Sequence, residues 1–446
     1  MASMTEQFAA NFNFGALAKA DDLKARLKFT VLALLIYRLG TYVPVPGIDP
    51  QAWQEIFSQK SGGIFDMFNM FSGGALQRMT IFTMGIMPYI TASIIMQMMT
   101  AMVPSLENLK KEGEAGRQKI NQYTRYGTVF LATVQAYALA MGLESMGGGA
   151  IVSDPGFFFR ATAVITLVGG TVFLMWIGEQ ITARGVGNGL SLIIFAGIVA
   201  ELPRALASTL QLSLEKVFSP FLLLFVAALV VAVITFIVFM ERAQRRVIVQ
   251  YPKRQVGNKM YAGDSSHMPL KLNSSGVIPP IFASSLLLFP LTFVGFTGSD
   301  GSPILDAISR YLQHGSATYM ALYGLLIVFF CFFYTAIVFN PQETADNLKR
   351  YGGFIPGIRP GQPTSDYLNF ILTRITVLGA AYLVLICLLP EFLMAKYKLP
   401  FYFGGTSLLI VVTVTIDTVA QIQSHLLAHQ YEGLLRKTKL RGRRRT

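Results

Sequence analysis

Residues 218–240 read FSPFLLLFVAALVVAVITFIVFM, uncharged from end to end, and run directly into Glu241-Arg242-Ala243-Gln244-Arg245-Arg246. A helix rises about 1.5 Å per residue, so an apolar run of this length matches a hydrocarbon core about 30 Å thick. Working outward, runs of the same kind occur at 27–43, 79–103, 124–143, 157–178, 189–207, 275–295, 318–339, 373–393 and 402–424. Together they predict an all-α polytopic membrane protein of ten transmembrane helices. Composition agrees: 53% of the 446 residues are hydrophobic and 14% charged, where a soluble domain carries roughly a quarter charged.

Lysine and arginine exceed aspartate and glutamate by 37 to 24, a net charge of +13. Their positions matter more than their sum. Basic residues crowd alternate connections: Lys110, Lys111, Arg117 and Lys119 after the second run; Arg242, Arg245, Arg246, Lys253, Arg254 and Lys259 after the sixth; Lys349, Arg350 and Arg359 after the eighth. The tail ends Arg441-Gly442-Arg443-Arg444-Arg445, whereas 144–156 carries only acidic charges and 296–317 a single arginine, Arg310. Lys and Arg favour the cytoplasmic side, so both termini are expected there, which requires an even helix count. Five helices per half would insert the halves in opposite senses, as inverted repeats do. The expected division is 1–207, a hinge at 208–217, 218–424 with cytoplasmic loops at 241–274 and 340–372, and a basic tail at 425–446. The polar first 26 residues and the Pro-rich Tyr42-Val43-Pro44-Val45-Pro46 end of the first run mark it as a retained helix rather than a cleaved signal. Both cysteines, Cys331 and Cys387, fall inside apolar runs, so no disulfide framework is implied.

Several segments break the simple pattern. The stretch 61–74 is apolar, bounded by glycine pairs, and far too short to span. It reads either as an amphipathic helix on the outer surface or as a re-entrant, movable stopper packed against protein. Pro88 in the second run, and Gly276, Pro279, Pro280 and Pro290 in the seventh, favour kinks. Small polar side chains near them, Thr91, Ser93 and Gln97 against Ser284 and Ser285, suit reversible helix contact. In 241–274 two β-prone runs, 246–251 and 267–272, predict a small basic hairpin. Pro356-Gly357-Ile358-Arg359-Pro360-Gly361 places Arg359 on a stiff, exposed turn. These charges serve topology alone or contact a phosphate-rich or acidic partner.

Catalytic signatures are missing from the sequence. There is no Gly-x-x-x-x-Gly-Lys-Ser/Thr loop and no Gly-x-Ser-x-Gly elbow. Gly185-Val186-Gly187-Asn188-Gly189 follows a membrane run, not a strand, and reads as an inter-helix turn. His425 and His429 stand one helical turn apart with only Glu432 nearby, which suits surface histidines better than a metal site. No cofactor, metal or catalytic residue is expected. A secondary transporter would bury ionisable groups near mid-membrane. The available candidates, Arg38, Glu179 and Asp417, lie nearer helix ends, which leaves a solute transporter as the rival to a channel.

Several longer stretches carry a resemblance. They are Gly85-Ile86-Met87-Pro88-Tyr89-Ile90-Thr91-Ala92-Ser93, Lys111-Glu112-Gly113-Glu114, Gln122-Tyr123-Thr124-Arg125-Tyr126-Gly127, Gly178-Glu179-Gln180-Ile181-Thr182, Asn340-Pro341-Gln342-Glu343-Thr344-Ala345-Asp346-Asn347-Leu348-Lys349 and Pro400-Phe401-Tyr402-Phe403-Gly404-Gly405-Thr406-Ser407. Along nearly its whole length the chain resembles the SecY family of protein-conducting channel subunits of the bacterial inner membrane. The resemblance implies an hourglass pore pinched by Ile86, Ile90, Leu190, Ile194, Ile278 and Ile410, where Leu190 replaces the isoleucine common at its place. It also implies a plug at Ile64, Phe65, Met67, Phe68 and Phe71, and a lateral gate at Thr91, Ser93, Gln97, Ser284 and Ser285. Arg245, Arg246, Arg254 and Arg359 would dock the SecA motor and the ribosome. The implied partners include SecE, SecG, signal sequences, nascent chains and membrane lipids. The implied function is translocation of unfolded secretory chains and lateral release of membrane proteins, driven from outside by SecA or the ribosome.

Overall fold

The computed structural model describes residues 20–59, 69–145, 151–214, 220–251, 254–256, 259–261, 265–297, 311, 316–397 and 405–442. Its elements, in order, are α1 (Asp21–Gly40), α2 (Pro50–Gln59), α3 (Met87–Met102), α4 (Pro104–Lys111), α5 (Glu114–Ser145), α6 (Phe157–Arg184), α7 (Gly189–Leu214), α8 (Pro220–Arg242), β1 (Gln244–Gln250), β2 (Arg254–Val256), β3 (Lys259–Tyr261), β4 (Ser265–Lys271), α9 (Ile278–Thr297), α10 (Ala317–Val338), α11 (Pro341–Arg350), α12 (Gln362–Tyr397) and α13 (Gly405–Gly442). A helix overlies each apolar run read from the sequence. Among the described residues, six stretches are long and apolar enough to cross a membrane, within α5, α6, α8, α10 with α11, α12 and α13. The pair α3 and α4, bent by 97°, would make a seventh. Threonines fit these apolar helices by returning their hydroxyls to the carbonyl four residues back, as Thr124, Thr128, Thr166 and Thr171 do at 2.7–3.1 Å.

The bend after α3 has a local cause. Val103 is extended (φ −104°, ψ 114°) because Pro104 follows it, and Pro104 then opens the amphipathic α4. The start of α3 departs from expectation. The apolar run predicts a helix from residue 79, yet α3 begins at Met87 and residues 72–86 form consecutive turns. Gly73, Gly74 and Gly85 take φ of 66°, 81° and 57°, and Met79 takes 47°, values that a right-handed helix excludes. Pro88 consequently lies in the first turn of α3, where its missing N–H costs nothing, and does not kink a longer helix. Gly276 likewise precedes α9 at φ 62°, and Pro279 and Pro280 lie in its first turn.

Two expected boundaries also move. Helix α7 continues to Leu214 through most of 208–217, and α13 continues past residue 424 to Gly442. The expected tail is therefore largely helical.

Helices up to α7 pack on one another: α5 against α3 and α6, and α6 against α1 and α7. Those from α8 onward do the same, through α9 on α10, α10 on α12, and α13 on α8 and α12. The two sets meet along two lines, α9 against α3 and α5, and α13 against α7 and α1. Between them lies the largest buried apolar cluster, fed by both sets. A second cluster, including Val45, Trp53, Leu76, Met79, Leu143 and Phe159, closes one end of the bundle.

By chain alternation the opposite end carries the β-ribbon. Strands β1 and β4 pair antiparallel from Gln244↔Lys271 to Gln250↔Ser265, and β2 pairs with β3. Val247 and Val249 point inward while Arg246 and Ile248 face out, the alternation expected of a half-buried strand. The expected hairpin is thus present, with 252–253, 257–258 and 262–264 outside the described residues.

Candidate functional site: an aliphatic waist, a seam and a basic face

The six aliphatic positions that the resemblance implies as a waist all belong to, or pack against, one large buried cluster. Ile86, Ile90, Ile194 and Ile410 are all buried in the central cluster, and half-buried Leu190 and Ile278 pack against it. They arrive from the end of the turn segment (Ile86), from α3, α7, α9 and α13. Ile86 and Ile90 share a face because the Ile90 N–H bonds the Ile86 carbonyl at 3.1 Å across one turn. Leu190 is set by close helix contact: a Cβ at Gly189 would overlap the Gly178 carbonyl oxygen, so α7 begins hard against α6. The turn joining them, 185–188, is tied down on both sides. Val186 N–H bonds Thr30 Oγ1 at 3.1 Å, and Gly187 N–H bonds Gln421 Oε1 at 2.9 Å. It is an inter-helix turn, as expected. Aliphatic side chains coordinate no ion and shed water, yet have the rotamer freedom to yield around a passing chain.

Ile64, Phe65, Met67 and Phe68 lie outside the described residues. Phe71, the last of that set, is buried in the same cluster as Ile86 and Ile90. Just before it, Asn69 accepts from the Gln77 N–H through Oδ1 and from the Gly74 N–H through its carbonyl, both at 2.9 Å.

At the seam of α9 with α3, Ser285 Oγ donates to Met87 Sδ at 3.6 Å. A thioether is a weak acceptor, so this contact holds the seam only lightly. Ser284 and Thr91 are buried and bond carbonyls of their own helices, Ile281 at 2.9 Å and Met87 at 3.1 Å. Gln97 donates to Ser93 at 3.2 Å, also within one helix. Of the five expected gate residues, Ser285 alone has a polar bond across the seam in the structure's described contacts. Met87, its acceptor, escaped the sequence reading because a methionine in an apolar run is ordinary core.

The ionisable candidates for a transport site are neutralised or displaced. Glu179 accepts a two-pronged bond from Arg125 at 2.9 and 2.7 Å, Arg38 donates to the Gly73 carbonyl at 2.8 Å, and Asp417 is exposed. Nothing in the sequence pairs Arg125 with Glu179, which stand 54 residues apart on separate helices.

At the other end, Arg245 and Arg246 are exposed on β1. Arg359 is exposed on a turn shaped by Gly357 (φ 84°) and Gly361 (φ 108°), and its carbonyl accepts from Thr364 Oγ1 at 2.8 Å. Gln250 and Phe354 exchange N–H···O bonds of 2.8 and 2.9 Å, joining the ribbon to the loop that carries Arg359. Val247, Leu270, Ile355, Leu368 and Ile375 form one apolar cluster beneath. Both basic segments therefore ride on a single platform. Arg254 lies on β2, opposite Tyr261.

A mostly helical bundle whose described residues include six stretches long and apolar enough to cross a membrane defines a multi-pass membrane protein. The chain belongs to the SecY family, whose profile matches residues 80–419. The protein translocase subunit SecY of Rickettsia typhi is 56% identical over 425 residues, covering 95% of this chain and 98% of that one. Its counterpart in Escherichia coli strain K12 is 55% identical over 423 residues, covering 94% and 96%. Among solved structures, one described as a protein conducting channel matches with a TM-score of 0.66 at 18% identity, over 90% of this chain and 92% of that one. Sec61 in the canine ribosome-channel complex from the endoplasmic reticulum gives 0.62 at 16% identity, over 90% and 92%. At these identities the solved structures establish the fold. The chain is a channel subunit of a bacterial protein translocase, multi-pass in the inner membrane.

Proposed function

We propose that the chain is a passive conduit without catalytic chemistry, through which unfolded secretory proteins cross the membrane and from which membrane segments leave sideways into lipid. The observation that supports this reading is one large buried apolar cluster drawn from both helix sets, in which Ile86, Ile90, Ile194 and Ile410 lie and against which Leu190 and Ile278 pack. In this reading ten helices form two inverted halves, 1–207 and 218–424, with both termini cytoplasmic and the segment 61–74 as plug. The line where α9 meets α3 and α5 is the lateral gate, and the line where α13 meets α7 is the hinge side. Energy comes from outside, from the SecA ATPase or from synthesis on a ribosome, and SecE and SecG complete the assembly.

The platform bearing Arg245, Arg246 and Arg359, with Arg254 on the neighbouring β2, is the docking face. Ribosomal RNA would be met there through phosphates, with strong salt dependence and no base reading. The pairing of Glu179 with Arg125 and the outward position of Asp417 speak against a solute transporter built around buried charge. Depletion tests the conduit directly. Uncleaved secretory precursors are expected to accumulate in the cytosol as the protein is lost, and normal processing at full depletion would sink the reading.

A further inference from the structure

Residues 71–86 form a compact loop whose ends meet. A Cβ at Gly85 would lie 3.7 Å from Ser72 Cα, and Phe71 and Ile86, near those ends, are both buried in the central cluster. The first half of the loop is held from outside by two helices. From the end of α1, Tyr37 Oη donates to the Ser72 carbonyl at 3.4 Å and Arg38 Nη1 to the Gly73 carbonyl at 2.8 Å. From α7, Glu201 pairs with Arg78 at 3.4 Å, and Arg204 donates to Gln77 Oε1 at 2.7 Å. Arg78 also lies over the Tyr42 ring, 4.2 Å from its centroid, with Arg38 5.2 Å from the same ring.

Two features mark Glu201 as the keystone. The Arg78 and Glu201 side chains are only 20% and 21% exposed, so each is poorly hydrated without the other, and Arg78 Nη1 is buried with no acceptor among the described residues. Second, Gly74 fits against this pair only because it lacks a side chain. A Cβ there would collide with Glu201 and Arg78. Helix α7 in turn reaches the loop through Gly197, whose Cβ would lie 3.1 Å from Tyr37 Oη and 3.3 Å from Gly73 Cα.

We infer that Glu201 and Arg78 form a latch that positions the 71–86 loop, and through it Ile86, in the closed waist. Glu201 and Arg78 are positioning residues: they line no path themselves, and they act by holding the loop between α1 and α7. Release of the latch lets the loop, and the ring member at its end, move away from the other five.

The inference rests on the conduit reading, and the test separates the two. The complex is extracted from its host membrane, reconstituted in vesicles of host polar lipids loaded with potassium chloride, and assayed for halide efflux in the idle state. Glu201→Gln and Arg78→Gln are each expected to raise the idle leak about fivefold, and the double variant no further, because both remove one coupled contact. Gly197→Val, which wedges α7 off the loop and leaves every charge in place, is expected to leak as well, and carries the test if a charge variant fails to assemble. Ile90→Asn, a polar group in the waist, is the control. Leak in Ile90→Asn with wild-type tightness in Glu201→Gln and Gly197→Val overturns the latch and spares the conduit. Tightness in all of them removes both. Single effects that multiply in the double variant also overturn the latch, since they would show two independent defects.

Discussion

Two turn-rich segments of this molecule look alike in sequence and behave oppositely in space. The 71–86 loop and the 351–361 turn both rely on glycines at positive φ: Gly73, Gly74 and Gly85 in the first, Gly352, Gly357 and Gly361 in the second. The first is enclosed by helices, and its carbonyls are taken up by Tyr37, Arg38 and Trp53, the last donating to Leu76 at 2.8 Å. The second is open at its tip, where a Cβ at Gly357 or Gly361 would meet nothing within 4 Å. Irregular backbone at membrane depth survives only when protein satisfies its polar groups. At an exposed turn water does the same work, and the chain is free to display charge. Glycine therefore supplies backbone conformation in both places, and the closest approach in the enclosed loop, although Gly353 in the turn also sits against Tyr251 and Val249.

That difference can be broken by one methyl group. Gly73→Ala must adopt φ 66° with a Cβ 2.9 Å from Gly197 Cα and 2.8 Å from Tyr37 Oη. Strain and overpacking together are expected to cost about 2–4 kcal/mol. Gly357→Ala meets only the conformational cost, about 1 kcal/mol. Thermal unfolding of the purified complex should show a clear drop for the first and a small one for the second; equal drops would mean that the buried loop yields as freely as the exposed turn.

The exposed turn should instead be sensitive to charge. Arg359→Glu is expected to slow precursor translocation into inverted membrane vesicles roughly tenfold, about 1.4 kcal/mol at the partner contact, without loss of thermal stability. Rescue by lower salt would not occur, because the reversed charge repels the same partner more strongly when less screened. Unchanged translocation would remove Arg359 from the docking face.

How much of this was legible follows from what hydropathy reports. Runs such as 218–240 and 318–339 announce helices because length and apolarity suffice, and α8 and α10 appear within about two residues of them. The run from 79 misled because it is equally apolar in its turns: Met79 and Gly85 at positive φ leave no trace in side-chain polarity. The ribbon was visible as two β-prone runs, but its joining to the next loop through Gln250 and Phe354 was not, since pairing across about a hundred residues has no local signal. The proposed waist comes from the family resemblance alone. An isoleucine in an apolar helix is ordinary, and nothing local distinguishes Ile410 from Leu409, both buried in the same cluster.

The smallest effect concerns the seam, which stands between the two regions in character: buried like the loop, yet required to part if it is the proposed lateral gate. Ser285→Ala removes the hydroxyl that donates to Met87 Sδ and leaves an apolar contact in its place. Replacing one weak bond by a methyl of similar shape costs at most about 0.5 kcal/mol, and no buried donor is stranded. The partner left behind, a thioether, is content without a hydrogen bond. Stability is therefore expected to hold while the closed seam loosens slightly, so that precursors with weakened signal sequences are exported about twofold faster, the factor that 0.5 kcal/mol allows. Pulse-labelled processing of a signal-defective precursor reads this directly. A slower rate than wild type would mean that Ser285 serves the open seam rather than the closed one, reversing the role given to it here.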